Sequence, residues 1–172
     1  MRRLLLTLVV LLGALLPTLA QSDPYVRVDV GDRLPAFSVR MTDGSTMESA
    51  DLEGKVVWVC LWASWCPSCR KEFGWFADSA EFAALLESED FIFLPIAREE
   101  NIATVGAWLR KKGYPYISGE DPDRAIFELF AEQEIPRNIL VGRDGVITLH
   151  STAYSRKSLT AVVDMASEML KN

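Results

Sequence analysis

The chain has 172 residues, 49% hydrophobic, 10% aromatic and 24% charged, enough for one domain with a real core and too few for two full-sized ones. That composition excludes wholesale disorder and collagen-like structure. With 18 basic and 24 acidic residues the net charge is −6, so no general field attracts phosphates and no nucleic-acid partner is expected. Three cysteines are too few for a disulfide-stapled scaffold, and with a single His they make a poor four-ligand zinc set, so no metal is expected. A redox or nucleophilic role for cysteine survives this filter.

Arg2 and Arg3 give the chain a positive start, and the thirteen residues Leu4 to Leu16 follow without a charge. Pro17 breaks the run, and Thr18-Leu19-Ala20 offers a small residue for cleavage before Gln21. Residues 1–20 therefore read as a signal peptide. Thirteen apolar residues fall short of the about 20 that a spanning helix needs; an inner-membrane anchor through residues 4–16 is the alternative. Cleavage after Ala20 leaves 152 residues and removes two arginines, taking the charge from −6 to −8. Export implies an oxidising compartment, a periplasm or the outside, and all three cysteines lie in the exported part.

Residues 21–34 are polar and mixed, a lead-in to a domain spanning 35–172. Phe37, Val39 and Met41 alternate with polar residues before an Asp43-Gly44 turn, a hairpin signal. Val56 to Trp62 is a continuous apolar run, rich in β-branched and aromatic residues, and reads as a strand buried on both faces. A helix is expected from the cysteines that follow to about Leu86, weakened near its start by Gly74. Phe91 to Ala97 reads as a second buried strand, and 101–112 as an amphipathic helix ended by Gly113. Tyr114 to Ser118 is expected as a short strand and Asp123 to Glu134 as a helix. Ile139 to Val141 and Val146 to Leu149 flank an Asp144-Gly145 turn, a second hairpin, and a helix over Ser158 to Leu170 closes the chain. Strands alternating with helices indicate an α/β domain, with helices covering a central sheet that the closing hairpin makes mixed.

Cys66-Pro67-Ser68-Cys69 falls between a buried strand and a helix. Disulfide exchange needs two thiols close enough to bond, one of them ionised near neutral pH. Cysteines three apart at a helix start meet both needs, because that spacing puts both sulfurs on one side of the first turn. Unpaired N–H groups and partial positive charge at the helix N-terminus favour a thiolate there. Pro67 suits the first turn, where its missing N–H costs nothing. Cys66 is thus expected as the exposed, attacking thiol and Cys69, a turn deeper, as the thiol that resolves the mixed disulfide. The same spacing also serves half a metal site or a static disulfide, for which one further Cys and one His offer little support.

The segment Trp62-Ala63-Ser64-Trp65-Cys66-Pro67-Ser68-Cys69-Arg70-Lys71-Glu72 strongly resembles the active site of the thioredoxin-like superfamily, most of all the TlpA/ResA-type periplasmic thiol-disulfide oxidoreductases. The resemblance continues through Val30-Gly31-Asp32, Pro35-Ala36-Phe37, Asp43-Gly44 and Leu52-Glu53-Gly54-Lys55-Val56-Val57, then Ile135-Pro136 and Asp144-Gly145, covering essentially all of the chain after the leader. It implies a thioredoxin-like fold with an N-terminal β-hairpin extension, no cofactor, disulfide-bearing exported proteins as substrates and a membrane or periplasmic electron donor. On single residues it implies a redox-active Cys66–Cys69 disulfide and a cis Pro136 facing it, with the Ile135 backbone free to pair with a substrate chain. It also implies an exposed Trp65 beside the site, and Glu72 as a general acid/base that takes the Cys69 proton once burial raises its pKa. A solvated helix glutamate is the plain alternative for Glu72, and Trp58 and Trp62 are expected in the core.

This chain departs from the pattern at three positions. Six residues before Cys66, where thioredoxins have a buried aspartate, stands Cys60, expected as a buried, inert thiol. Gly74 replaces a helix-kinking proline, so a straighter helix is expected. Arg137 follows Pro136 where a threonine is usual; a cation there would favour a nearby thiolate and acidic substrates. His150, the only histidine, is expected on a strand face, and Arg98-Glu99-Glu100 as a solvated loop. No glycine-rich phosphate loop is present. The resulting expectation is an exported thiol-disulfide oxidoreductase acting as a reductase. The rivals are a peroxiredoxin-like thiol peroxidase, which the Ala63 three residues before Cys66 does not suit, and a non-catalytic binding module.

Overall fold

The computed structural model describes residues 23–171. The expected leader, residues 1–20, lies outside them. The chain forms a hairpin of β1 (Ser38–Arg40) and β2 (Thr46–Glu48), then β3 (Val56–Trp62), α1 (Pro67–Asp78), α2 (Ala80–Leu86) and β4 (Phe91–Arg98). It continues through α3 (Ile102–Lys112), β5 (Gly119–Asp121), α4 (Phe127–Phe130), β6 (Arg137–Val141), β7 (Ile147–Thr152) and α5 (Arg156–Lys171). The sheet order is β5-β4-β3-β6-β7. β3, β4 and β5 run parallel, whereas β6 is antiparallel to β3 and β7 to β6. The mixed sheet, its flanking helices and the N-terminal hairpin are those read from the sequence.

β3 is central and buried along its whole length, which explains its unbroken apolar run. Its side chains alternate between two cores. Val56, Trp58, Cys60 and Trp62 face the side covered by α1, α2, α3 and α5, which contributes Leu159, Val162, Val163 and Ala166. Val57, Val59 and Leu61 face Val39, Met41, Leu52, Phe127 and Phe130. Both expected core tryptophans are fully buried, and each indole N–H finds an acceptor: Asn138 Oδ1 at 2.7 Å for Trp58 and Ser118 Oγ at 3.1 Å for Trp62.

Three expected elements differ. The helix after the cysteines breaks at Ser79, not at Gly74: Ser79 is extended, ends α1 and caps α2 through Phe82 N–H. Tyr114 to Ser118 forms no strand. Pro115 has no N–H to give a ladder, Ser118 N–H goes to Thr42 Oγ1, and pairing starts only at Gly119 opposite Ile96. The helix expected over Asp123 to Glu134 shrinks to the single turn of α4. Arg124 and Glu134 take left-handed φ of 67° and 63°, and the Asp121 carboxylate captures the N–H groups of Ile126 and Phe127. Ala131 then turns extended to bridge Val26 in the lead-in.

The hairpin is fastened to the sheet by a close approach at Gly119, which bridges Met41. A Cβ there would stand 2.3 Å from Val39 Cγ2. Gly119→Ala is therefore expected to cost about 1–3 kcal/mol through overpacking. Urea denaturation checks this; an unchanged midpoint would show that the hairpin yields freely.

Candidate active site

The C-terminal ends of β3, β4 and β5 meet the start of β6 at one edge of the sheet. Cys66 lies there as the N-cap of α1, with Pro67 in the first turn. Its Sγ accepts the Cys69 backbone N–H at 3.3 Å and lies 3.1 Å from Ser68 Oγ. The Cys69 side chain donates to it as well. That donation first, and the Ser68 hydroxyl and N–H groups after it, pull the Cys66 thiol down to about 5 against the opposing effect of burial. Cys69 is completely buried. Desolvation, its donation to Cys66 and the adjacent thiolate charge push its own pKa far up. All three cysteines are free thiols.

Cys69 is the deeper of the two cysteines, but the exposure expected for Cys66 is not found. Cys66 is not broadly exposed: only 4% of it meets solvent, because Ser68 and the Ile135 carbonyl, 3.7 Å from its sulfur, close over it. The Ile135–Pro136 bond is cis, and it brings the Ile135 backbone against the Cys66 sulfur. Trp65 is 50% exposed beside the site, with the Arg98 guanidinium 5.6 Å from its ring centre.

Glu72 is fully buried, which removes the solvated reading. Its Oε1 accepts from Asn138 Nδ2 at 2.6 Å and its Oε2 from the Cys60 thiol at 3.7 Å. Burial pushes the carboxyl up to about 7; the two hydrogen bonds pull it back and the Cys66 thiolate adds to the rise. Cys60 is buried as expected. Desolvation first, then the Glu72 carboxylate, drives its thiol pKa well up.

Other expectations fail. Arg137 is fully buried and turned away from the cysteines. It pairs with Asp23 Oδ2 at 2.9 Å and donates to Thr152 Oγ1 and the carbonyls of Gln133 and Glu134. Consecutive strand residues face opposite sides, so it is Asn138 that points towards Glu72. His150 does lie on a strand, β7, as expected, where it bonds the Val28 carbonyl and meets Arg137 Nη1. The Arg98-Glu99-Glu100 stretch is no solvated loop: buried Glu100 accepts the Ser64 N–H at 2.6 Å and the Ser64 hydroxyl, fixing the loop that leads into Cys66. Sequence reading missed Glu100 and Asn138. Asn138 carried a signal, a lone amide inside the apolar strand Arg137–Val141, because a buried polar group needs partners.

With this geometry in view, comparison with known proteins decides the family. The Redoxin family model matches residues 29–165. The chain belongs to the Redoxin family. It is 24% identical over 132 residues to the thiol-disulfide oxidoreductase ResA of Bacillus subtilis, covering 77% of this chain and 72% of that one. It is 28% identical over 138 residues to the thiol:disulfide interchange protein DsbE of Pseudomonas aeruginosa, covering 78% and 68%. A Bacteroides thetaiotaomicron solution structure, described as a candidate protein disulfide isomerase, superposes with a TM-score of 0.80 at 32% identity, covering 86% of this chain and 94% of that one. The fold is therefore thioredoxin-like.

The donors around Cys66 set a measurable property. Thiolate absorbance near 240 nm in the reduced protein is expected to titrate with a midpoint near 5 and to vanish in Cys66→Ser. A midpoint between 8 and 9, that of an ordinary thiol, would contradict the assigned donor set.

Proposed function

We propose that this chain, a thiol-disulfide oxidoreductase of the ResA/DsbE type, is exported and reduces disulfides of other exported proteins through Cys66 and Cys69. The observation that carries the reading is the pairing at the start of α1: a thiolate held at Cys66 by donors that include the thiol of Cys69 itself. A stabilised thiolate beside a buried thiol is what a two-step exchange requires.

In the first step the Cys66 thiolate attacks a client disulfide. A Cys66–client S–S bond forms, the client bond breaks, and one client sulfur leaves as a thiolate that takes a proton from water. Capping Cys66 removes its negative charge and the acceptor that Cys69 had been serving. Glu72 then ionises more easily, since one cause of its raised pKa is gone. In the second step Glu72 takes the Cys69 proton, the Cys69 sulfur attacks Cys66, and the second client sulfur leaves and recovers that proton. Two electrons pass from the dithiol to the client, leaving a Cys66–Cys69 disulfide that an electron donor in the periplasm or membrane must reduce. Ile135 and Pro136 offer backbone against which an extended client lies, and exposed Trp65 offers an aromatic contact.

Export rests on the charge and apolar pattern of residues 1–20, read as a leader cleaved after Ala20, with the domain proper from about residue 35. Among the described residues no helix is long and apolar enough to cross a membrane. The stabilised Cys66 thiolate favours the dithiol form and so works against reduction of clients; the direction rests on the ResA resemblance.

Replacement of the resolving cysteine tests the chemistry. Cys69→Ser is expected to accumulate client proteins in mixed disulfides on Cys66, seen as dithiothreitol-sensitive adducts on non-reducing gels, and turnover of a disulfide substrate should fall at least about 100-fold. A peroxide-consuming first turnover without adducts would favour a peroxidase. Client binding that survives replacement of both cysteines by alanine would favour a binding module.

A further inference from the structure

Trp58, Asn138, Glu72 and Cys60 form a continuous chain of hydrogen bonds in the core beneath the two reactive cysteines. All four are buried, Asn138 to 1% and the others completely. The order of donors along the chain is forced. An indole nitrogen only donates, so the Asn138 atom 2.7 Å from Trp58 Nε1 must be its carbonyl oxygen. The amide nitrogen is then left to face Glu72 Oε1, at 2.6 Å. Asn138 therefore has one orientation and offers the carboxylate a donor, never an acceptor.

We propose that Asn138 is a positioning residue of the exchange reaction: locked by Trp58, its amide N–H holds the Glu72 carboxylate in the orientation and charge state needed to receive the Cys69 proton. The inference rests on the proton role proposed for Glu72 and extends it to a residue on a different strand.

Several observations converge on it. Glu72 sits one turn along α1 from Cys69, on the same side of the helix. Each Glu72 oxygen accepts one bond from below, from Asn138 and from Cys60, and a carboxylate has about four lone-pair sites, so acceptor capacity remains for a thiol of α1. Among the described residues no cation pairs with Glu72. The titratable groups that act on Glu72 are the Cys60 thiol on β3 and the Cys66 thiol at the start of α1. α5 covers that side of the sheet with Leu159, Val162, Val163 and Ala166, and Arg137 on β6 points to the other side, to Asp23. Hydrogen bonds from the neutral groups Asn138 and Cys60 are thus what favours an ionised Glu72 against its burial, and the Asn138 bond is the larger effect.

The test is the reaction of the full-length reduced protein with 5,5′-dithiobis(2-nitrobenzoate) in stopped flow. Attack by Cys66 releases one thionitrobenzoate and leaves a mixed disulfide; attack by Cys69 on Cys66 releases the second and closes the Cys66–Cys69 disulfide. Two phases therefore report the two cysteines separately. Asn138→Leu, of similar volume, is expected to leave the first phase unchanged, slow the second at pH 7 by about tenfold or more, and move its pH midpoint upward. Glu72→Gln should remove that pH step altogether. A purely structural role would lower stability without moving the midpoint, so an unmoved midpoint in folded Asn138→Leu overturns the proposal. Should that variant not fold, Trp58→Phe serves instead: it keeps the ring, frees the amide, and should shift the midpoint the same way by less; no shift overturns the proposal. If Glu72→Gln leaves the second phase as in the parent, the proton role of Glu72 fails and this inference fails with it. If Glu72→Gln removes the step while Asn138→Leu and Trp58→Phe do nothing, only the role of Asn138 fails.

Discussion

A single negative charge on the Cys66 sulfur organises the site. It exists because α1 begins there, so backbone N–H groups with no helical partner converge on one atom, and because the Cys69 side chain adds its own donor. The charge has consequences for each neighbour. Burial raises the pKa of both Cys69 and Glu72, and the Cys66 charge adds to each rise. In the proposed exchange, capping that charge with a client disulfide would remove its contribution to both groups, so the first step would prepare the second.

The rest of the fold holds this arrangement in place. A fully buried β3 delivers the chain into the site and supplies Trp58 and Cys60 beneath it. β6, antiparallel to β3, opposes Cys60 with Asn138, and that register places the amide between the indole and the carboxylate. Buried Glu100 pins the loop at Ser64, and the loop ahead of β6 brings the Ile135 backbone to the sulfur. Where a thioredoxin carries an aspartate on the strand, this chain has a thiol there and its carboxylate on the helix; Cys60 serves that carboxylate as a donor.

Much of this was legible beforehand. The CxxC between an apolar run and a helix, the β-branched content of β3 and the two Asp-Gly turns were enough for the class, the central strand and the two cysteines. The misreadings have common physical causes. Apolar spacing in Asp123 to Glu134 looks helical, but the Asp121 carboxylate and two left-handed residues divert the backbone, and neither is visible in a periodicity. Arg137 reads as a cation at the active site because its neighbour Pro136 is there; strand alternation sends it to Asp23 instead. Glu100 reads as a solvated charge because its partner, the Ser64 backbone, is distant in sequence, in the loop after the neighbouring strand β3. Asn138 was the readable omission, since an amide in an apolar strand demands partners.

In the proposed chemistry Cys66 and Cys69 form a reversible two-electron couple while Cys60 stays outside it. The most direct measurement is equilibration of the protein against glutathione or dithiothreitol, with alkylation and mass mapping of each cysteine across the titration. One transition is expected, in which Cys66 and Cys69 become linked and Cys60 remains a thiol throughout. A potential near that of thioredoxin, about −270 mV, would agree with a reductase, and one near about −120 mV would mark an oxidant instead. A linkage through Cys60, or no transition at all, would rule out the Cys66–Cys69 couple.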